Sequence, residues 1–155
     1  MSDVILSLVF GVGTLAVLAV VAWYIWRRGR AWPREGDGRY RTLSGVVVRS
    51  EAEQFIADHL SRRGIRFKYE RPYPHGRVKY KPDFYLVDQD LYLEHLGVNK
   101  DGTTAPFVSE RRYWSDIRWK RRLHQRHGTR MVETYHWQHA DGILEEALDE
   151  ILGGG

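Results

Sequence analysis

The chain predicts an α/β protein, a small mixed sheet flanked by helices, placed after one N-terminal transmembrane helix. Three observations predict it. An uncharged apolar run fills residues 4–26. Beyond it, segments with helical spacing alternate with short segments rich in Val, Tyr, Leu and Phe, the pattern of a sheet covered by helices. Two of those short segments, KPDF at Lys81 to Phe84 and YLEHLG at Tyr92 to Gly97, each hold a carboxylate inside an apolar run.

The first element is the apolar run. From Val4 to Trp26 only Ser7, Gly11, Gly13 and Thr14 interrupt it, and roughly 20 such residues cross a bilayer as a helix. Trp23, Tyr24 and Trp26 gather at its end, where an aromatic belt meets the interface. Arg27, Arg28, Arg30 and Arg34 follow, against Asp3 alone on the other side. The positive-inside rule then puts the N-terminus outside and the rest of the chain in the cytoplasm, a single-pass protein of the inner (cell) membrane. A cleaved signal peptide would carry its charge before a shorter core and end in small residues, so a retained anchor over residues 1–26 is expected. Residues 27–44, rich in Arg and Gly, read as a basic juxtamembrane linker able to touch anionic lipid. Residues 45–152 suit one small domain. The chain has no cysteine, which excludes disulfides and thiolate zinc sites and fits a reducing compartment.

Within that domain, Val46 to Val48 is a short apolar run leading to SEAE, a capping box with Ser50 at the N-cap and Glu53 three residues on. Ala52, Phe55, Ile56 and Leu60 continue as a helical stripe that Gly64 ends. Ile65 to Tyr69 alternates as a strand, and RPYPHG is a turn region. Val78 to Val87 and Leu91 to Val98 are expected as a hairpin about VDQD, with Pro82 marking an edge or bulge before Asp83. A polar loop leads to a basic helix from Glu110 to Gln125. A strand from Arg130 to Trp137 follows, which a right-handed crossover through that helix could set parallel to the Glu94 strand. Ile143 to Leu152 is a last amphipathic helix.

The hairpin brings Asp83 and Glu94 to one end of one sheet. Two carboxylates there can hold Mg²⁺, which takes oxygen ligands and keeps several waters, and such an ion activates water and stabilises phosphoryl transfer. The competing reading is a pair of exposed strand acids, although Glu94 is flanked by apolar residues that predict burial, where an unpaired charge is costly. Glu53 is explained by its capping box alone and also lies on the flank that reaches the sheet end. Tyr113, Ile117, Lys120 and His124 share one helix face at 100° per residue. Lys120 therefore points inward to a functional site or snorkels to water. The stretch from Ser109 to Arg130 holds seven arginines, one lysine and two acids. Arg111, Arg112, Arg118, Arg121, Arg122 and Arg126 suit a nucleic-acid backbone, and the interleaved Trp114 and Trp119 suit unpaired bases. A solvated face or an anionic leaflet would also accept this helix. His124 with His127 and His136 with His139 have no third ligand at metal spacing and read as surface or core histidines.

These residues resemble a known family. S-x-x-E in a first helix, PD on a strand and a following strand acid resemble the PD-(D/E)XK nuclease superfamily. VRSEAEQFIADHL, YKPDFYL, YLEHLGV, WKRRLH with HGT, and ETYHW with DG are more closely similar to the nuclease-like module of helicase IV-type DNA helicases. The resemblance covers most of residues 46–152. It implies a restriction-endonuclease-like core and a Mg²⁺- or Mn²⁺-dependent phosphodiester hydrolase acting on nucleic acid, DNA above all. Asp83 and Glu94 would hold the metal, the His95 carbonyl could add a ligand, and Glu53 would support them. The superfamily lysine falls at Leu96 here, and in the resembled subgroup WKR supplies it, as Lys120. Glu133 and Tyr135 also match the subgroup. The alternative is an inactive module of the same fold that binds DNA or a protein partner at the membrane. No helicase motif is present. A homo-oligomer is left open.

Overall fold

The computed structural model describes residues 40–75 and 79–153. The expected anchor and all but the end of the linker lie outside the described residues. Among the described residues no helix is long and apolar enough to cross a membrane.

The described chain begins with a two-stranded antiparallel hairpin, β1 (Tyr40–Arg41) and β2 (Val47–Val48). Tyr40 and Arg41, expected in the linker, are therefore paired with the apolar run at Val47 and Val48. Gly45 at φ +82° supplies the left-handed residue that turns the chain between them.

Helix α1 (Glu51–Arg62) starts where the sequence places it. Ser50 has extended backbone, and its Oγ accepts from the Glu53 amide at 3.1 Å. The Glu53 side chain accepts from the amide of Arg49, one residue before the expected partner, at 2.9 Å. The α1 stripe buries Ala52, Ile56, Ala57, His59 and Leu60.

The main sheet has four strands in the order β3-β4-β5-β6: β3 (Phe67–Tyr69), β4 (Phe84–Leu86), β5 (Leu91–Leu96) and β6 (Arg130–Tyr135). The first three are antiparallel, and β6 is parallel to β5 with Glu94 beside Glu133. Between β5 and β6 the chain runs through α2 (Glu110–His127), which a left-handed Gly128 ends at φ +64°. This is the mixed sheet the sequence predicts, with the parallel return it allows. All four strands are shorter than expected: β3 starts at Phe67 rather than Ile65, β5 stops at Leu96 rather than Val98, and β4 and β6 are trimmed for identifiable reasons. β4 begins only at Phe84, because Pro82 cannot donate to a ladder and Asp83 directs its carboxylate elsewhere. β6 stops at Tyr135, because the Gln138 side chain accepts from the Tyr135 amide at 2.7 Å and turns His136 and Trp137 into a short helix, α3 (His136–Ala140). Helix α4 (Leu144–Ile151) closes the chain.

Side chains alternate across β5. Leu91 and Leu93 point to one face, where they pack with Phe84 and Leu86 against Ile56, Ala57 and Leu60 of α1 and Leu144 and Leu148 of α4. Tyr92, Glu94 and Leu96 point to the other face, under α2. There Tyr92 packs with Tyr73, Tyr80 and Leu123, and Leu96 packs with Val98 and Ile117. Glu94 is the polar residue between these two apolar clusters.

Candidate metal and nucleic-acid site

Glu94 sits mid-strand with 1 % of its surface exposed. Burial of a charge requires partners, and both its oxygens have one. Tyr80 donates its hydroxyl to Oε1 at 2.5 Å, and Lys120 donates Nζ to Oε2 at 2.5 Å. The lysine keeps about a quarter of its side chain open to solvent. The ion pair is thus buried on the acid's side and wet on the lysine's.

Asp83 stands next to this pair. The β4–β5 register joins Phe84 to Leu93, and one step further sets Asp83 opposite Glu94. The His95 amide donates to Asp83 Oδ2 at 2.8 Å, fixing the carboxylate across the strand end. Oδ1 has no protein partner among the described residues, and Asp83 remains partly open to solvent. Burial, then the neighbouring Glu94 charge, pushes its carboxyl up to about 8, against the opposing His95 amide. Glu53 raises it further and Lys120 lowers it, so both charges act on Asp83. Glu53 itself is held by the Tyr69 hydroxyl at 2.6 Å as well as by the Arg49 amide. It supports the site from the α1 side without a direct bond to Asp83 or Glu94.

The structure therefore brings Asp83, Glu94 and Lys120 together from a loop end, a strand and a helix, with Glu53 within electrostatic reach. Leu96, the position at which the resembled superfamily would carry a lysine, is a core residue here. Leu96 points to the same face as Glu94 and fills the space beneath Ile117. The α2 helix covers that position and delivers its own lysine one residue-pair along the strand. Tyr80 is the residue that sequence reasoning missed. It lies before β4 in what was expected to be strand, and only its position three residues ahead of Asp83 could have drawn notice. Burial and Glu94 raise its hydroxyl well above the usual phenol range, so it is a firm donor.

A second acid–base rung lies beside the first. Arg121 forks onto Glu133, with Nε at 2.7 Å and an Nη at 2.5 Å, and the Tyr135 hydroxyl adds a bond at 3.0 Å. Of the six arginines that suit a phosphate backbone, Arg121 is thus committed to Glu133. Arg111, Arg112, Arg118, Arg122 and Arg126 are exposed with no ion-pair partner among the described residues. His124 is buried and bonded to Thr129 through Nδ1 at 2.8 Å.

Ionising Asp83 as well as Glu94, with Glu53 nearby and one lysine to answer them, would gather an excess of negative charge; that repulsion helps hold the Asp83 proton, and a divalent cation would offset it. Among the described residues no group of three or more acids or histidines is placed to hold a metal ion. Mg²⁺ does not need such a group, since it is held through one or two carboxylates and keeps its waters. The donor set at Asp83 and Glu94 fits that pattern. A separate cavity of about 510 Å³ is lined by Arg121, Met131, Val132, Glu133, Tyr135 and Ile151, along β6. No family model, no curated protein and no solved structure matches this chain.

Proposed function

We propose that residues 45–152 form a restriction-endonuclease-like domain of the PD-(D/E)XK kind, a Mg²⁺- or Mn²⁺-dependent nuclease held at the inner face of the cell membrane by residues 1–26. The observation that supports this best is the Lys120–Glu94 contact. A lysine 26 residues away in sequence meets a strand acid that stands opposite Asp83.

Asp83 and Glu94 would hold the metal, which when bound supplies Lewis-acid stabilisation and an activated water. The protein's own groups do the rest. The His95 amide fixes Oδ2 of Asp83 and leaves Oδ1 without a protein partner among the described residues. Tyr80 fixes Glu94 and keeps water from one side of it. Lys120, its side chain partly open to solvent and its ammonium on Glu94, could hold an attacking water or offset charge on a phosphoryl oxygen. Glu53 adds negative charge near Asp83, which would favour a bound cation. The free arginines of α2 supply sequence-independent attraction to the phosphate backbone of DNA.

One observation favours the second reading, an inactive module that binds DNA or a protein partner. Both Glu94 oxygens are satisfied by protein donors, so the fold needs no metal to bury that acid. The discriminating experiment incubates the full chain in detergent with plasmid and single-stranded DNA, with Mg²⁺, Mn²⁺ or chelator. Metal-dependent cleavage should fall about 10²–10³-fold in Asp83→Ala, Glu94→Ala and Lys120→Ala. DNA binding that weakens with salt, without cleavage in any metal, establishes the binding module instead.

A further inference from the structure

The two tryptophans of α2 look equivalent in sequence and are not equivalent in the structure. Trp114 is half-buried, packs on the Leu96–Ile117 cluster and donates its indole N–H to the Gly102 carbonyl at 3.3 Å. Trp119 is 39 % exposed and has no such bond. It meets Tyr80 edge to face, with ring centroids 5.7 Å apart and planes at 78°. That contact leaves more than a third of the residue at the surface, the part a further ring could meet. A large exposed aromatic beside a buried ionic site is unusual, since apolar surface is ordinarily covered.

Its surroundings are those of a strand track. Trp119 adjoins Lys120 in sequence, and the Lys120 ammonium lies 5.4 Å from the Tyr80 ring centroid. The indole is thus one aromatic ring from the carboxylate that Tyr80 and Lys120 both hold. Arg112, Trp119 and Arg126 are seven residues apart and fall on one line of the helix, with about 20° of drift per step. Both arginines are exposed and unpaired among the described residues. The line spans about 21 Å at 1.5 Å per residue. Leu123, near that flank, packs with Tyr73, Tyr80 and Tyr92, so the flank borders the Tyr80 side of the site. The opposite flank carries Arg121, already bonded to Glu133.

We propose that this flank binds a single nucleic-acid strand, with an unpaired base stacked on Trp119 and its phosphates on Arg112 and Arg126, so that the substrate is single-stranded or locally unpaired. A duplex keeps its bases stacked on one another and offers no free face to the indole. A single strand does, and aromatic stacking serves it without sequence preference. The inference rests on the nuclease reading for its chemistry, but its binding test needs no turnover.

The test measures anisotropy of labelled oligonucleotides on the full chain in detergent with chelator present. The probes are a thymidine strand, a strand of equal length lacking bases, and a duplex. Trp119→Ala should weaken thymidine-strand binding about 5- to 150-fold, and Trp119→Phe should restore most of it. The base-free strand should bind the wild-type chain and Trp119→Ala alike, which excludes a folding defect as the cause. Equal losses on all three probes, no loss on any, or a wild-type preference for duplex would overturn the proposal. If duplex binding is retained and metal-dependent cleavage persists, only the stacking is wrong. If no probe binds and nothing is cut, the nuclease reading fails with it.

Discussion

At the scale of residues, the Lys120–Glu94 pair carries opposite consequences for stability and chemistry. Removing the lysine alone leaves a buried carboxylate with one partner, and such a loss costs about 1–3 kcal/mol. Neutralising both ends removes the charge along with its partner, which is often close to neutral for stability. Lys120→Met should therefore lower the denaturation midpoint, and Lys120→Met combined with Glu94→Gln should recover most of it. Cleavage should be lost in both. A double variant no more stable than the single one would show that the pair does not couple. Asp83, Glu94 and Lys120 could be picked out because an acid in an apolar strand and a lysine on an apolar helix face contradict their surroundings. Tyr80 could not, because a tyrosine near a strand contradicts nothing. Its role depends on the hydroxyl's direction, which only the packing around Leu123 and Tyr92 decides.

At the scale of elements, α2 does two jobs on separate sides. Its inner side places Ile117, Leu123, His124 and Lys120 on the sheet, and its outer side presents arginines. Each arginine that neutralises a phosphate adds about one unit to the slope of log affinity against log salt. Arg111→Ala, Arg118→Ala and Arg122→Ala should each reduce that slope by about one on any DNA, measured by titration at several salt concentrations. Arg121→Ala should leave the slope unchanged and lower stability, because its fork is spent on Glu133. An unchanged slope in all four would confine the phosphate contacts to the Arg112–Arg126 flank or place the nucleic acid elsewhere. The elements themselves were largely legible. The Ser50 cap, the Gly64 and Gly128 stops and the parallel return through α2 all follow from local chemistry. The ends of β4 and β6 were not, since they depend on where the Asp83 and Gln138 side chains reach. β1 was missed because two residues, Tyr40 and Arg41, are too short a run to show alternation.

At the scale of the whole molecule, acid should unfold the domain through its buried imidazoles. Burial, then the Lys120 charge, holds His124 down to about 4, against an ordinary value near 6.5. A histidine with a depressed folded value binds its proton more readily when unfolded. Its contribution is therefore complete above about pH 6.5 and is lost as pH falls towards 4, at no more than about 1.4 kcal/mol per pH unit. Urea unfolding between pH 8 and pH 4 should show a smaller decline in His124→Asn than in the unsubstituted chain. Parallel declines would mean that His124 titrates normally.

The wide separation of the three site residues along the chain has a temporal meaning. Asp83 and Glu94 flank one short turn and can meet as soon as that hairpin closes. Lys120 comes 26 residues later and reaches Glu94 only when α2 has docked across the sheet. During synthesis, then, the acids emerge first and stand without their cation until the C-terminal half is in place. On the nuclease reading, a chain whose α2 has not yet docked would carry an incomplete site.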